Sequence, residues 1–246
     1  MYLEYAIDEA NMAELVLLDP DAFTRHRRNG FGASDSSILL GVNKWTTLDQ
    51  LIEQKNSKDI TDAEREVSSK PQVKMGNICE PGILECFKVW SGIDKVEKPA
   101  EQYRFLAAPQ LTVNYDGLAT DDCTFPVECK YVSVFAVKYW DWDKSVKNYG
   151  DAPTTKLNID GCDVSDIIHQ SAEFYGIPPY YFTQVQQQLL GTMSDYAWLC
   201  ACNSKTGDVH FFKIWEDERV QTAIQDVSAL ALELCPGMQS YIKERW

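Results

Sequence analysis

LTVNYDGLATDDCTFPVECKYVSV, residues 111–134, decides the fold. Its first apolar run, Leu111 to Tyr115, ends in the turn-forming pair Asp116-Gly117. Its second, Phe125 to Val134, reads as a buried strand and carries Glu128 and Lys130 two places apart. If the two runs are adjacent strands, two carboxylates and one ammonium meet on a rigid sheet. A charge in a strand interior is costly unless it is paired or binds a metal. The ordinary explanation is a structural ion pair between strands. The chemical one is a seat for a divalent cation and a water beside a phosphodiester. Glu53-Gln54-Lys55 repeats the spacing on what reads as a solvated helix face, so the triplet alone carries nothing.

Outward from this core, helical signals precede the strands: Met12 to Leu18, Ser34 to Leu40, and Thr47 to Lys55. Residues 56–74 read as a polar loop or exposed helix. Ile83, Leu84, Phe87 and Trp90 form a helical stripe that Gly92 would stop. Pro81 suits the first turn of that helix, which would put Glu80 at its positive N-terminus. Strands are expected at 103–107, 111–119 and 125–134, a loop or insertion at about 135–178, a helix at 180–190, strands at 196–202 and 209–215, and a helix at 216–234 closed by Pro236-Gly237. This order indicates an α/β (α+β) fold, a central mixed sheet flanked by helices, in a single domain over 1–246.

Composition narrows the classes. At 246 residues and 45% apolar content, an ordinary core is expected without disulfides. No apolar run approaches the roughly 20 residues that span a bilayer, and no basic start precedes an apolar segment near Met1, so a soluble cytoplasmic protein is expected. The eight cysteines form no CxxC pair, and His26, His169 and His210 are scattered. Reduced, mostly buried thiols are the expectation, rather than a metal cluster. The net charge of −14 argues against coating nucleic acid through a general positive field. Any such contact must use a local basic patch, or metals that neutralise carboxylates against phosphate.

Asp116-Gly117 followed by Glu128-Cys129-Lys130 resembles the core motif of the PD-(D/E)XK nucleases. Within that superfamily the chain is similar to the lambda-type phage exonucleases, the YqaJ-like viral recombinases. The resemblance runs over most of the chain: Arg27-Arg28 with Gly32-Ala33-Ser34-Asp35, Met75-Gly76 with Glu80-Pro81, the Asp and Glu-x-Lys core, then Tyr181 with Gln184-Val185-Gln186. It implies a restriction-endonuclease-like core and a Mg²⁺-dependent deoxyribonuclease, with Mn²⁺ able to substitute. Asp116, Glu128 and the main-chain carbonyl of Cys129 would hold the metal, Glu80 would act through water, and Lys130 would position the attacking water, as a base if the metal charge lowered its pKa.

The resemblance assigns Gln184 to the phosphate at the active site, with Tyr181 on the same helical face; Gln187 and Gln188 read as an ordinary polar helix face. Ser34 reads as a helix N-cap, and the resemblance adds a grip on a 5′-phosphate together with an Arg, Arg27 by spacing, although Arg28 stays open. Asn114 stands where relatives often carry Ser in that pocket. Residues 135–178 are longer than in the compact phage enzyme. Their aromatics and Lys138, Lys144 and Lys147 could serve DNA, a partner or a surface flap. The resemblance further implies 5′→3′ digestion of linear double-stranded DNA, a 3′ tail for a single-strand annealing protein, a ring of three subunits, and the host cytosol for a phage-encoded chain. An endonuclease of the same fold, a non-catalytic partner-binding relative and a redox protein are the alternatives.

Overall fold

In the computed structural model, residues 15–17, 27–57, 70–99, 102–157, 159 and 163–245 are described. Strand β1 (Leu15–Leu17) is followed by a 3-10 turn at Ala33–Asp35, then α1 (Ser36–Leu39), α2 (Leu48–Asn56), α3 (Pro71–Ser91) and β2 (Val96–Glu97). Strands β3 (Tyr103–Phe105), β4 (Thr112–Val113), β5 (Gly117–Thr120) and β6 (Thr124–Val132) come next. The chain ends with α4 (Val164–Tyr175), α5 (Pro179–Thr192), β7 (Tyr196–Asn203), β8 (Val209–Trp215), α6 (Glu218–Glu233) and α7 (Pro236–Arg245).

The main sheet has five strands in the order β2-β5-β6-β7-β8. Every pairing in it is antiparallel except β6 with β7. A parallel neighbour cannot be reached through a hairpin, so the chain must travel back to the start of β6 before entering β7. Residues 133–195 make that return and deliver α4 and α5 to one face of the sheet. On that face Leu199, Ala201 and Phe212 pack with Ile168, Phe182, Val185 and Leu189. The opposite face buries Val127, Cys129, Trp198 and Phe211 under Ile83, Leu84 and Phe87 of α3. A mixed sheet covered on both sides by helices is therefore the observed architecture.

Several expectations change. The run 111–119 is not one strand: it breaks at 114–116, β4 pairing with β3 in a separate three-stranded sheet and β5 joining the main one. The break lets Asp116 sit at a strand entrance. Within the helical signal at Met12–Leu18, the described residues form β1, paired with β3; the remainder lies outside the described residues. Helix α3 begins at Pro71, so Pro81 is interior and Glu80 is mid-helix, not at the N-terminus. Pro71 takes the first position, where its missing N–H costs nothing. Pro236 likewise opens α7 instead of closing the chain's last helix. Within 135–178 the described residues form three short 3-10 turns and then α4. Asp163 caps α4 by accepting from the Asp166 N–H at 2.9 Å, and Gly176 ends it with φ 74°. Gly176 also lies against Asp141 O and Lys144, so a Cβ there would collide at 2.7 Å.

Helix α5 sits so close to β4 that Gly191 meets the Tyr115 hydroxyl, Phe105 and Val113. Replacement by Ala gains helix propensity but overlaps buried Tyr115. Gly191→Ala is expected to lose about 1–2 kcal/mol, because overpacking of a filled core outweighs a propensity gain of about 1 kcal/mol. Urea denaturation checks this, and an unchanged or raised midpoint would contradict the close packing.

Candidate active site

Alternation along β6 aims Val127 and Cys129 at α3 and places Glu128 and Lys130 on the face beneath α5. Glu128 is only 2% exposed. Its Oε1 pairs with Lys130 Nζ and accepts from Gln184 Nε2 at 2.5 Å. Its Oε2 accepts from Gln188 Nε2, also at 2.5 Å. Gln184 and Gln188 are four apart on α5, so one helical face supplies both amides. Asp116 precedes β5, whose Gly117 is paired with Val127, and its Oδ2 accepts from the Cys129 N–H at 2.9 Å. The two carboxylates and the ammonium are thus brought together as the sequence suggested.

Burial, and after it the charge of Asp116, pushes the Glu128 carboxyl up to about 7, against the pull of Lys130 and Gln188. Burial alone would lower the Lys130 ammonium, but Glu128 and Asp116 more than offset it and hold this amine above its ordinary value. Lys130 is accordingly a cation and hydrogen-bond donor here. Its Nζ stands 5.4 Å from the centre of the Tyr181 ring, which packs on Trp140 behind it.

Glu80 reaches the cluster by another route. It points from α3 to Lys98, with which it forms an ion pair, its side chain 17% exposed. Lys98 follows β2, one place beyond the Glu97–Leu118 pair and so beside Asp116-Gly117. Desolvation works against the Lys98 ammonium, yet Glu80 and then Asp116 keep its pKa raised. No sequence signal singles out Lys98, because its partner Glu80 lies 18 residues away in the chain.

The residues expected around a 5′-phosphate are more dispersed. Ser34 is exposed inside the 3-10 turn and is not its cap; Gly32 takes that place, its N–H donating to Asp35 Oδ2 at 3.0 Å. Arg27 is exposed, and its carbonyl accepts from Lys55 Nζ at 2.9 Å. Arg28 donates to Ser57 O at 2.7 Å. Asn114 is exposed, and its carbonyl accepts from Gln188 at 3.3 Å. This N-terminal segment reaches the cluster through α5: Ser36 Oγ donates to Gln187 Oε1 at 2.5 Å, and Gln187 Nε2 donates to Phe31 O and Thr112 O.

Three polar residues therefore depart from the solvated roles expected of them. Gln187 and Gln188 are buried, the first joining the N-terminal segment to β4 and the second gripping Glu128. Lys55, expected on a solvated face, has a side chain 7% exposed and bonds Asp35, Arg27 O and Gly30 O. Apolar patterning cannot distinguish a buried amide or amine from an exposed one when its partners are remote carbonyls.

Among the described residues, no three His, Cys, Asp or Glu side chains close on one point. The acids are instead answered individually by Lys98, Lys130, two glutamine amides and the Cys129 N–H. Asp116 and Glu128 are nevertheless oxygen donors of the kind a hard divalent cation takes, and they lie close enough for the charge of Asp116 to raise the Glu128 pKa. Cys129 and Cys200 are unsuited as thiolate ligands, since burial pushes both thiols well above their ordinary range.

Residues 22–195 match the family described as the YqaJ-like viral recombinase domain. "Uncharacterized protein YqaJ" of Bacillus subtilis (strain 168) is 27% identical over 134 residues, which cover 52% of this chain and 39% of that protein's length. Two solved structures share the fold. An alkaline exonuclease (LHK-Exo) from Laribacter hongkongensis gives a TM-score of 0.57 at 13% identity, covering 91% of this chain and 95% of that one. LHK-Exo in complex with dAMP gives 0.54 at 14% identity, covering 89% and 93%.

Gln188→Leu removes the donor to Glu128 Oε2 and Asn114 O while filling similar volume. A loss of about 2 kcal/mol is expected, the cost of buried acceptors left unmet. A chemical-denaturation midpoint equal to that of the unsubstituted protein would show that Gln188 is not holding the carboxylate.

Proposed function

We propose that this chain, which belongs to the YqaJ-like viral recombinase domain family, is a Mg²⁺-dependent nuclease that digests one strand of linear duplex DNA from its 5′ end. The observation that carries this reading is the buried Glu128 carboxylate, held by Lys130 and Gln184 beside Asp116. The family description names a viral recombinase, and the structural neighbours include an alkaline exonuclease. Both support the same chemistry.

Asp116, Glu128 and the Cys129 carbonyl would hold the cation, with Glu80 acting through water. When bound, that cation supplies charge neutralisation at the phosphate and at the departing 3′-oxygen. The protein's own groups do the rest. Lys130 donates to the water that attacks phosphorus and holds it against Glu128. Gln184, already aimed at the cluster, can turn its amide toward a phosphate oxygen. Helix α5 fixes Gln184 while Gln188 keeps Glu128 from rotating away. Attack breaks the bond from phosphorus to the 3′-oxygen, which takes a proton from solvent as the attacking water gives one up to solvent, and releases a 5′-phosphorylated nucleotide, leaving a 3′ single-stranded tail.

Arg27 or Arg28, Ser34 and Asn114 would receive the terminal 5′-phosphate, with Tyr181 bordering Lys130. A tail of this kind suits a single-strand annealing protein as partner. A ring of three copies around the duplex would let a chain of net charge −14 retain DNA by enclosure, without a broad positive surface. We place this activity in one domain over 1–246, with 135–178 as its extended region, in the cytoplasm of a bacterial host. Among the described residues, no helix is long and apolar enough to cross a membrane.

Mg²⁺-dependent digestion of 5′-phosphorylated, 5′-hydroxyl and closed-circular duplexes tests the reading. The phosphorylated linear ends should be consumed fastest and circles should persist. Lys130→Ala should slow turnover by about a thousandfold, the size of losing one preorganised hydrogen-bond donor at the reacting centre, with its melting temperature showing a folded protein. Cleavage of circles would favour an endonuclease of the same fold, and undiminished hydrolysis by Lys130→Ala would refute the assignment.

A further inference from the structure

Trp45 is 67% exposed. A large aromatic left in water wastes apolar area unless something covers it. It is also held in place: Asn43 Oδ1 accepts from the N–H groups of Trp45 and Thr46, both at 2.9 Å, and Asn43 Nδ2 donates to Ser37 Oγ at 2.9 Å. The ring stands edge-on to Tyr180, centroids 4.9 Å apart. Tyr180 in turn meets Tyr181 at 4.5 Å, and Tyr181 lies against Lys130. An unbroken series of rings therefore leads from the nuclease lysine to the surface.

Its flank is basic. Lys44 lies 4.6 Å and Lys138 5.1 Å from the centre of the half-exposed Tyr139 ring. Tyr139 is close enough to Tyr180 to help raise its hydroxyl pKa, after burial and Tyr181. Behind the ledge, Trp140 stacks on Trp142 at 5.3 Å and packs on Phe212 at 5.5 Å, so Tyr181 has a rigid backing. Exposed rings accompanied by lysine ammoniums suit a strand that alternates flat bases with phosphates. In an otherwise acidic chain, this local pairing of ammonium and aromatic favours a polyanion over an apolar partner.

We propose that the exposed rings of Trp45 and Tyr139, accompanied by Lys44 and Lys138 and backed by the buried Tyr180 and the partly buried Tyr181, form a stacking subsite for bases of the DNA strand led to Glu128 and Lys130. The proposal rests on the nuclease reading and adds to it where the strand lies outside the reacting phosphate. It also gives the aromatics and lysine of the segment after β6 a task that their sequence left open. The subsite reads no base identity, because stacking accepts every base.

Fluorescence anisotropy with a short single-stranded oligonucleotide, and with the same strand made abasic, tests it at low salt with Ca²⁺ replacing Mg²⁺. The unsubstituted protein should prefer the strand bearing bases. Trp45→Ala should bind that strand about tenfold more weakly, the size of one lost stack, and the abasic strand unchanged. Trp45→Phe should stay within about threefold of the unsubstituted protein, and Tyr139→Ala should repeat the Trp45→Ala pattern. Equal affinity for both strands, equal loss on both strands, or a change in Trp45→Ala confined to the oligomeric state in sedimentation would overturn the subsite. Turnover on linear DNA with Mg²⁺ is read separately. An active enzyme without base preference removes only the ledge, and an inactive protein that keeps the preference removes only the nuclease reading.

Discussion

A carboxylate shut inside a sheet must be answered by hydrogen-bond donors or it will not stay ionised, and Glu128 is such a group. Its surroundings follow from that requirement. Lys130 shares its strand face, Gln184 and Gln188 come down from α5, and Asp116 stands at the entrance of the adjoining strand. Two of these donors have a supporting contact of their own: Gln188 also binds Asn114 O, and Lys130 lies over Tyr181. The parallel pairing of β6 with β7 completes the arrangement, because only a long return connection brings α5 across this face. Fold and site are consequently one construction.

The parts written in local pattern were legible beforehand. β6 announced itself through apolar residues around Glu128 and Lys130, and the mixed helix-flanked sheet followed from the order of apolar runs. What depended on distant partners was hidden. Gln187 and Gln188 resemble the solvated face of any helix, yet they bond carbonyls and a carboxylate far away in sequence. Lys55 is buried because the segment 27–35 folds over it and offers two carbonyls and Asp35. Asp116 lies beside the Glu128 strand as its turn-forming pair suggests, although the strand expected to run through it breaks there: the chain changes sheets, a tertiary event without a pattern of its own. Glu80 was placed at a helix start because Pro81 is unfavourable inside a helix, whereas Pro71 occupies the tolerant position.

Electrostatically, acids and cations meet at close range around Glu128. Asp116 and Glu128 lie close together while Glu80 is linked to them through Lys98, and Lys98 and Lys130 are each paired with an acid. Lys44 and Lys138 lie farther out against Tyr139. A net charge of −14 therefore says little about the surface that a DNA strand would meet.

Titration of the metal-free protein with Mn²⁺, followed by electron paramagnetic resonance, examines the carboxylate cluster without relying on turnover. The account predicts saturable binding by the unsubstituted chain and at least a tenfold weaker affinity in Asp116→Asn, whose amide oxygen can still accept from the Cys129 N–H and so preserve the fold. Absence of saturable binding, or equal affinity in Asp116→Asn, would contradict it.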